Sequence, residues 1–379
     1  MGINMRNLRL SEICNRITDG SHNPPKGVNN SDFLMISSKN IFDDKITLDE
    51  PRYLTEQDFI IEHNRTQIKS GDILLTIVGT VGRVAVFDDK IGKITLQRSV
   101  AVLHPNTEIC NSRYLMYLLR AKRYKFEQGA KGVAQKGIYL KELANTELSI
   151  VDRSEQDKIV TILDNLTELI TSSENQIKAY DTLIKSRFVE MFGDPISNPF
   201  SWSKMPLDEC LESIENGKSF VCNSLPRAER NPAILKLSAV TYGIYKPEEN
   251  KEIIDENDFV ESAEVHEGDL LFTRKNTPEL VGMAAYVAST SPKLMMPDLI
   301  FRLNTKNNCN KIFLWKLINL DLFRKEIQNI ASGSAKSMSN ISKERLGKLS
   351  IYLPPIELQN QFAAFVHQID KLKFTKQKP

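Results

Sequence analysis

The sequence predicts an α+β protein: two tandem mixed α/β modules, related by a pseudo-two-fold internal repeat and separated by long coiled-coil-forming helices. Three observations predict it. Segments recur about 200 residues apart: Leu10-Ser-Glu-Ile-Cys-Asn-Arg-Ile17 as Leu207-Asp-Glu-Cys-Leu-Glu-Ser-Ile214, Gly71-Asp-Ile-Leu-Leu-Thr76 as Gly268-Asp-Leu-Leu-Phe-Thr273, and Leu148-Ser-Ile150 as Leu349-Ser-Ile351. Each copy alternates short apolar runs with turn residues, and a heptad stripe fills the stretch between the copies. The period is too long for a solenoid and suits a duplicated domain. The expected division is 1–150 (first module), 151–200 (central helix), 201–353 (second module) and 354–379 (a short distal helix).

In the first module, Phe33–Ile36, Ile73–Val78, Arg83–Phe87 and Ser99–Leu103 read as strands bounded by Gly, Asp, Asn and Pro. Val281–Val287 repeats the third of these, behind a longer loop that carries Arg274, Lys275 and Asn276. A kept scaffold with changed loops suits recognition. Each copy then has an apolar-periodic helix, Arg113–Leu119 and Ile312–Ile318. A stretch of Gly, Ser, Ala and Lys follows each, Gly129–Gly137 and Ala331–Asn340, where a backbone could approach a phosphate closely and Lys supplies counter-charge.

The central helix starts at a capping-box-like Ser154-Glu-Gln-Asp157 and stops at Gly193-Asp-Pro195. Leu163, Ile170, Ile177, Ile184 and Met191 fall every seven residues, with Ile159, Leu166, Ser173, Tyr180 and Arg187 between them. About five heptads imply a helix of about 58 Å. Its seam weakens toward Arg187. After Leu353-Pro-Pro355 a second helix opens, where Phe362, Phe365, Val366, Ile369 and Leu372 align with Ile159, Ile162, Leu163, Leu166 and Leu169. It is expected to pair antiparallel with part of the first, with the modules at opposite ends.

Composition bounds the function. The 379 residues are 41% hydrophobic and 26% charged, as in ordinary globular domains. No apolar run reaches the roughly 20 residues of a membrane span, so a cytoplasmic protein with no membrane partner is expected. The five cysteines lack C-x-x-C spacing and read as buried thiols in a reducing compartment. Net charge is +2, so nucleic-acid binding would need local patches. From Asn111 to Lys141 eight Lys/Arg face one acid, with Tyr114, Tyr117, Tyr124 and Phe126 interleaved. Lys311 to Lys348 carries eight against three. A solvated helix face is the bland reading of one such run; recurrence at one place in both copies favours a binding surface.

Catalytic motifs are absent or incomplete. His22-Asn-Pro-Pro-Lys26 is similar to the [DNS]-P-P-[YFW] motif of amino-methyltransferases, but Lys26 cannot stack on a flipped base as an aromatic would. There is no G-x-G-x-x-G and no G-x-x-x-x-G-K-[ST]. Gly79-Thr-Val-Gly82 reads as a hairpin turn. The residues support binding, with no catalytic site, metal or cofactor expected in this chain.

The chain resembles the specificity subunits of Type I restriction-modification enzymes over essentially its whole length. The resemblance rests on Ile17-Thr-Asp-Gly-Ser-His22, the paired Gly-Asp strands, Leu-Ser-Ile before the Glu-Gln helix start, and Val189-Glu-Met-Phe-Gly-Asp-Pro195 leading to Trp202. It implies two target recognition domains, each reading half of a split DNA target. The helices would act as spacer and as platform for methyltransferase subunits, which bring S-adenosylmethionine, and for restriction/translocase subunits, which use ATP and Mg. The distal helix is shorter than the family's common length, and dimerisation could compensate where partners are absent. A stand-alone bipartite DNA-binding regulator is the alternative; a methylase acting alone would have to bind S-adenosylmethionine.

On this reading Lys131, Lys136, Lys336 and Lys343 would hold phosphates. Gln135, Tyr139, Arg274, Lys275, Asn276, Ser337 and Asn340 would face base edges or a groove, with Lys26 a further DNA contact. The spacer seam would be Ile159, Leu163, Leu166, Ile170, Ile177 and Ile184, with Phe362, Val366 and Ile369 opposite.

Overall fold

A computed structural model describes residues 5–131, 136–228, 230–332 and 338–377. Gln135, Lys336 and Ser337 lie outside the described residues. The chain divides into two compact units between Thr171 and Ser172.

In the first unit, a four-stranded antiparallel sheet has the order Cys14–Asp19, Val100–Pro105, Ile73–Thr76, Val84–Val86. The strands are apolar without alternation because both faces are covered. Ile73, Leu75, Ala101 and Leu103 enter one core, and Leu74, Ala85, Val100 and Val102 enter another. A smaller sheet joins Arg52–Tyr53, Phe33–Ile36 and Lys93–Leu96, the last two parallel. A helix over Glu56–Thr66 begins at Thr55, whose hydroxyl accepts from the Asp58 amide.

The second unit repeats this plan strand for strand. Its sheet runs Leu211–Asn216, Ile300–Thr305, Leu270–Thr273, Ala284–Tyr286, again antiparallel. Its smaller sheet joins Asn250–Glu252, Ala233–Leu235 and Leu294–Met295, with the parallel pair conserved. The Glu56–Thr66 helix has no long counterpart there; the corresponding chain makes single 3-10 turns at Glu256–Asp258 and Glu261–Ala263. The fold is therefore α+β with a pseudo-two-fold repeat.

Small details repeat too, and each has a physical cause. Gly71 and Gly268 take φ of 88° and 87°, a region side chains avoid, and the next Asp accepts the amide three residues back. Gly20 and Gly217 end the first sheet strand so close to the Leu96 and Met296 carbonyls that a Cβ would sit 2.1 and 2.2 Å from those oxygens. The buried Asp72 meets His104 Nδ1 at 2.9 Å, whereas Asp269 meets Arg302 Nε at 3.0 Å. Opening and closing strands of each module pair with each other: Met5–Arg9 with Glu147–Val151, and Ser203–Pro206 with Ser350–Leu353.

The long helix is continuous from Arg153 to Phe192. At its start Gln156 is fully buried, its Nε2 donating to the Ile109 and Val151 carbonyls and its Oε1 accepting from the Asn111 amide. Asn111 in turn caps the helix Ser112–Ala121. Gln359 repeats every bond in the C-terminal helix Ile356–Gln377: to the Asn308 and Pro354 carbonyls, and from the Asn310 amide that caps Lys311–Ile318.

In the first unit Ile159 and Val160 pack on the module core, while Ile162, Leu166, Leu169 and Ile170 are exposed and Leu163 is half-buried. In the second unit the C-terminal helix runs antiparallel to the long helix: Phe362 stacks edge-on against Phe188 and Phe192, and Lys373 meets Asp181 at 2.5 Å. Ile184, Phe362, Val366 and Ile369 share that core with Phe188, Phe192 and Phe313. Ile177 is half-buried beside it. Where the heptad seam weakens, a second stripe, Ile184–Phe188–Phe192 at spacing four, takes over. Arg187 pairs with Glu190 and lies over the Phe365 ring.

Candidate nucleic-acid interface

In both copies the strand that follows Gly-Asp runs out of the sheet toward a second short ladder. The turn after it is tied by a threonine: the Thr76 hydroxyl donates to the Thr80 carbonyl and accepts from the Arg83 amide, and the Thr273 hydroxyl accepts from the Met283 amide. Gly79–Gly82 is thus the hairpin turn that its spacing predicts. Beyond the threonine, the Ile77 carbonyl accepts from the Ile138 amide and the Arg274 carbonyl from the Ile341 amide. These two bonds place Gly137 and Asn340, the last residues of the two Gly/Ser/Lys stretches, at one register. Each stretch closes on itself by paired backbone bonds, Lys131 with Gly137 and Ser332 with Asn340.

The loop chemistry on this shared frame differs. In the first module Lys131 is exposed and its Nζ lies 2.5 Å from Glu142 Oε1, a hydrogen bond that raises its pKa. Lys136 is exposed, and its carbonyl accepts from the Gly79 amide. Tyr139, at the cap of Leu140–Ala144, is 67% exposed. Lys122, Lys125 and Lys131 line a cavity of about 620 Å³ together with the buried Phe126 and Ile138 and the carboxylates of Glu142 and Glu147. Lys26 stands exposed on the loop after Cys14–Asp19.

In the second module Lys275 pairs with Asn340 and Asn276 with Ser339 in a two-stranded ladder. The Arg274 guanidinium donates to Asn340 Oδ1 and lies 5.1 Å from the Phe301 ring centre; Lys343 Nζ lies 6.0 Å from the same centre. Asn276 departs from its expected groove role. It is buried, its Nδ2 donating to the Thr241 hydroxyl and its Oδ1 accepting from the Thr277 amide, because the ladder register turns it inward.

Two groups escaped the sequence reading. Asp19, buried within Ile17-Thr-Asp-Gly-Ser-His22, is held by Arg65 at 3.0 Å and by His22 Nε2 at 2.7 Å. Arg65 lies on a helix that has no counterpart in the second copy, so repetition gave no cue. In the second module a cavity of about 660 Å³ is lined by Tyr242, Tyr286, Trp315 and Lys316. Burial there lowers the Lys316 pKa to about 8, against smaller opposing effects of Asp370 and Asp181. Lys316 follows Trp315 in an apolar-periodic helix, a spacing that points it out of the main core.

A frame used twice, with equivalent positions given to different side chains, defines a protein of two related modules. Comparison with known families says which: the chain belongs to the Type I restriction modification DNA specificity domain family, whose model matches residues 5–180 and 199–379. It is 28% identical over 180 residues, 47% of this chain, to the Type I restriction enzyme EcoEI specificity subunit of Escherichia coli. That match spans 30% of the relative's length, and the match to the EcoBI subunit of the same organism spans 29%. Over 81% of this chain and 73% of the relative it is 23% identical to the putative MjaX specificity subunit of Methanocaldococcus jannaschii. The fold is similar to the crystal structure of a Type-I restriction-modification system S subunit from M. genitalium, with a TM-score of 0.61 at 14% identity over 99% of this chain and 91% of that one. No helix among the described residues is long and apolar enough to cross a membrane.

Proposed function

We propose that this chain is the non-catalytic DNA-reading subunit of a Type I restriction-modification system. Each module (1–150 and 201–353) reads one half of a split duplex target, and the helices (151–200 and 354–379) serve as spacer and as docking platform for methyltransferase subunits, with restriction/translocase subunits joining them. The observation that carries this reading is the family match in both halves on a frame whose equivalent positions hold Ile77 and Gly137 in one copy, Arg274 and Asn340 in the other. Two binding frames of one plan and different chemistry suit an asymmetric, two-part sequence. In this reading Lys131 and Lys136 of the first module and Lys343 of the second supply phosphate contacts, and Lys26 and Tyr139 in the first, Arg274, Lys275 and Asn340 in the second, supply the further DNA contacts.

The long helix is the proposed ruler. Deleting Ile170–Gln176 removes one heptad of half-exposed or exposed residues and keeps the module contacts at Asp164 and Asp181. It shortens the helix by about 10.5 Å, about three base-pair steps, and leaves its phase within about 20°. The expected outcome is a target whose two halves move closer by about three base pairs, measured by selecting bound sequences from random duplexes or by mapping methylated adenines in cells. An unchanged gap in an active variant would refute the ruler.

A further inference from the structure

We infer that the second module carries a dedicated guanine reader, Arg274 buttressed by Asn340, with no counterpart in the first module. The inference rests on the proposed DNA-reading function and adds a base identity to one half-site. Arg274 is immobilised at every level. Its amide donates to the Leu299 carbonyl and its carbonyl accepts from the Ile341 amide, so its backbone is fixed on both sides. Its Nε and Nη2 both donate to Asn340 Oδ1, at 3.3 and 3.1 Å. The guanidinium lies over the face of the buried Phe301. Asn340 is itself pinned, by its ladder with Lys275 and by two backbone bonds with Ser332 at 2.8 Å.

The buttress decides what the arginine can recognise. A guanidinium has five N–H donors in a planar fork. Asn340 occupies the Nε–Nη2 edge, which leaves the end-on Nη1–Nη2 edge directed away from it. The Asn340 oxygen is committed to the arginine, so it offers no acceptor beside the fork. The surface is therefore all donor. In the major groove guanine alone offers two adjacent acceptors, N7 and O6; adenine sets a donor beside its N7, and cytosine presents a donor. Lys343 over the same ring adds positive charge without adding an acceptor. In the first module the equivalent positions are a buried Ile77 and Gly137, which can form neither fork nor buttress. The same fork could grip a phosphate, and the test separates the two.

The experiment uses the full-length chain. Sequences bound from random duplexes define the target; each guanine in it is then replaced by 7-deazaguanine, which lacks the N7 acceptor. Wild type should lose about tenfold or more at one guanine. Arg274→Ala should be indifferent to that replacement and keep its discrimination elsewhere. Asn340→Ala should keep the same preferred base with weaker discrimination. If Arg274→Ala instead weakens all duplexes equally and lowers the salt slope by about one phosphate, the fork is a phosphate grip and the inference fails. An Arg274→Ala protein that discriminates like wild type also overturns it. If no sequence is enriched at all, the DNA-reading function itself fails, before base identity arises.

Discussion

Replacing Gln156 with Leu tests the device that seats the long helix on the first module. The side chain is fully buried and makes three hydrogen bonds at 2.8 to 3.0 Å. Leucine is close to glutamine in volume, so the change removes polarity with little cavity. It strands the part-buried Asn111 N–H, and the Ile109 and Val151 carbonyls lose a donor. A buried group left unpaired costs about 1–3 kcal/mol, and partial rehydration makes the sum less than three full penalties. The expected loss is about 2–4 kcal/mol, or about thirty- to a thousandfold in local opening. Hydrogen exchange read by mass spectrometry measures it: amides around Asn111 and Arg153–Asp157 lose protection, while those around Asn310 and Ile356–Asn360 keep theirs. Gln359→Leu should give the mirror pattern. A Gln156→Leu protein with protection within about threefold of wild type at these amides would refute the assignment of stability to this clamp.

Two further predictions concern pH. Burial pushes the Asp164 pKa up, but hydrogen bonds from Arg113 and Tyr117 outweigh it and hold the carboxyl below its usual range. A depressed carboxyl stabilises the fold above the unfolded value near 3.9 and loses that contribution as pH falls through the folded value. Arg113→Met should cost about 1–2 kcal/mol at neutral pH, since both partners are a third exposed, and should flatten the acid limb of the first unit's urea stability. Lys316 has the opposite sense: its pKa of about 8 lies below the unfolded lysine value, so the unfolded chain binds more protons between the two and stability rises with pH across that window. Lys316→Met should stabilise the second unit at pH 7 and abolish the rise between about pH 8 and 10.4, read in the same assay.

Much of the fold was legible because it rests on local rules stated twice. Gly-Asp before an apolar run marked the inner strands, and Ser154-Glu-Gln marked a helix start within a residue of Arg153. The heptad stripe located the long helix but not what covers each turn. Ile184, Phe188 and Phe192 pack on the second module through a spacing of four that the sevenfold pattern concealed. Side-chain direction in the interface was harder still. Lys275 and Asn276 are adjacent, yet only the ladder register decides that the second turns inward. The partnership of Arg274 with Asn340 spans 66 residues and leaves no periodic trace.

The pairing of each module's opening strand with its closing strand has an evolutionary consequence. Chain entry at Met5–Arg9 and exit at Glu147–Val151 lie side by side, as do Ser203–Pro206 and Ser350–Leu353. A gene segment cut just outside such a pair carries away a finished sheet, with no ladder left half-made behind it. The receiving chain must supply little more than a helix whose buried glutamine clasps the asparagine-capped helix that travels with the module. A module of this build is self-contained in its backbone pairing, so exchanging one between related genes would leave both the donor and the recipient ladders whole.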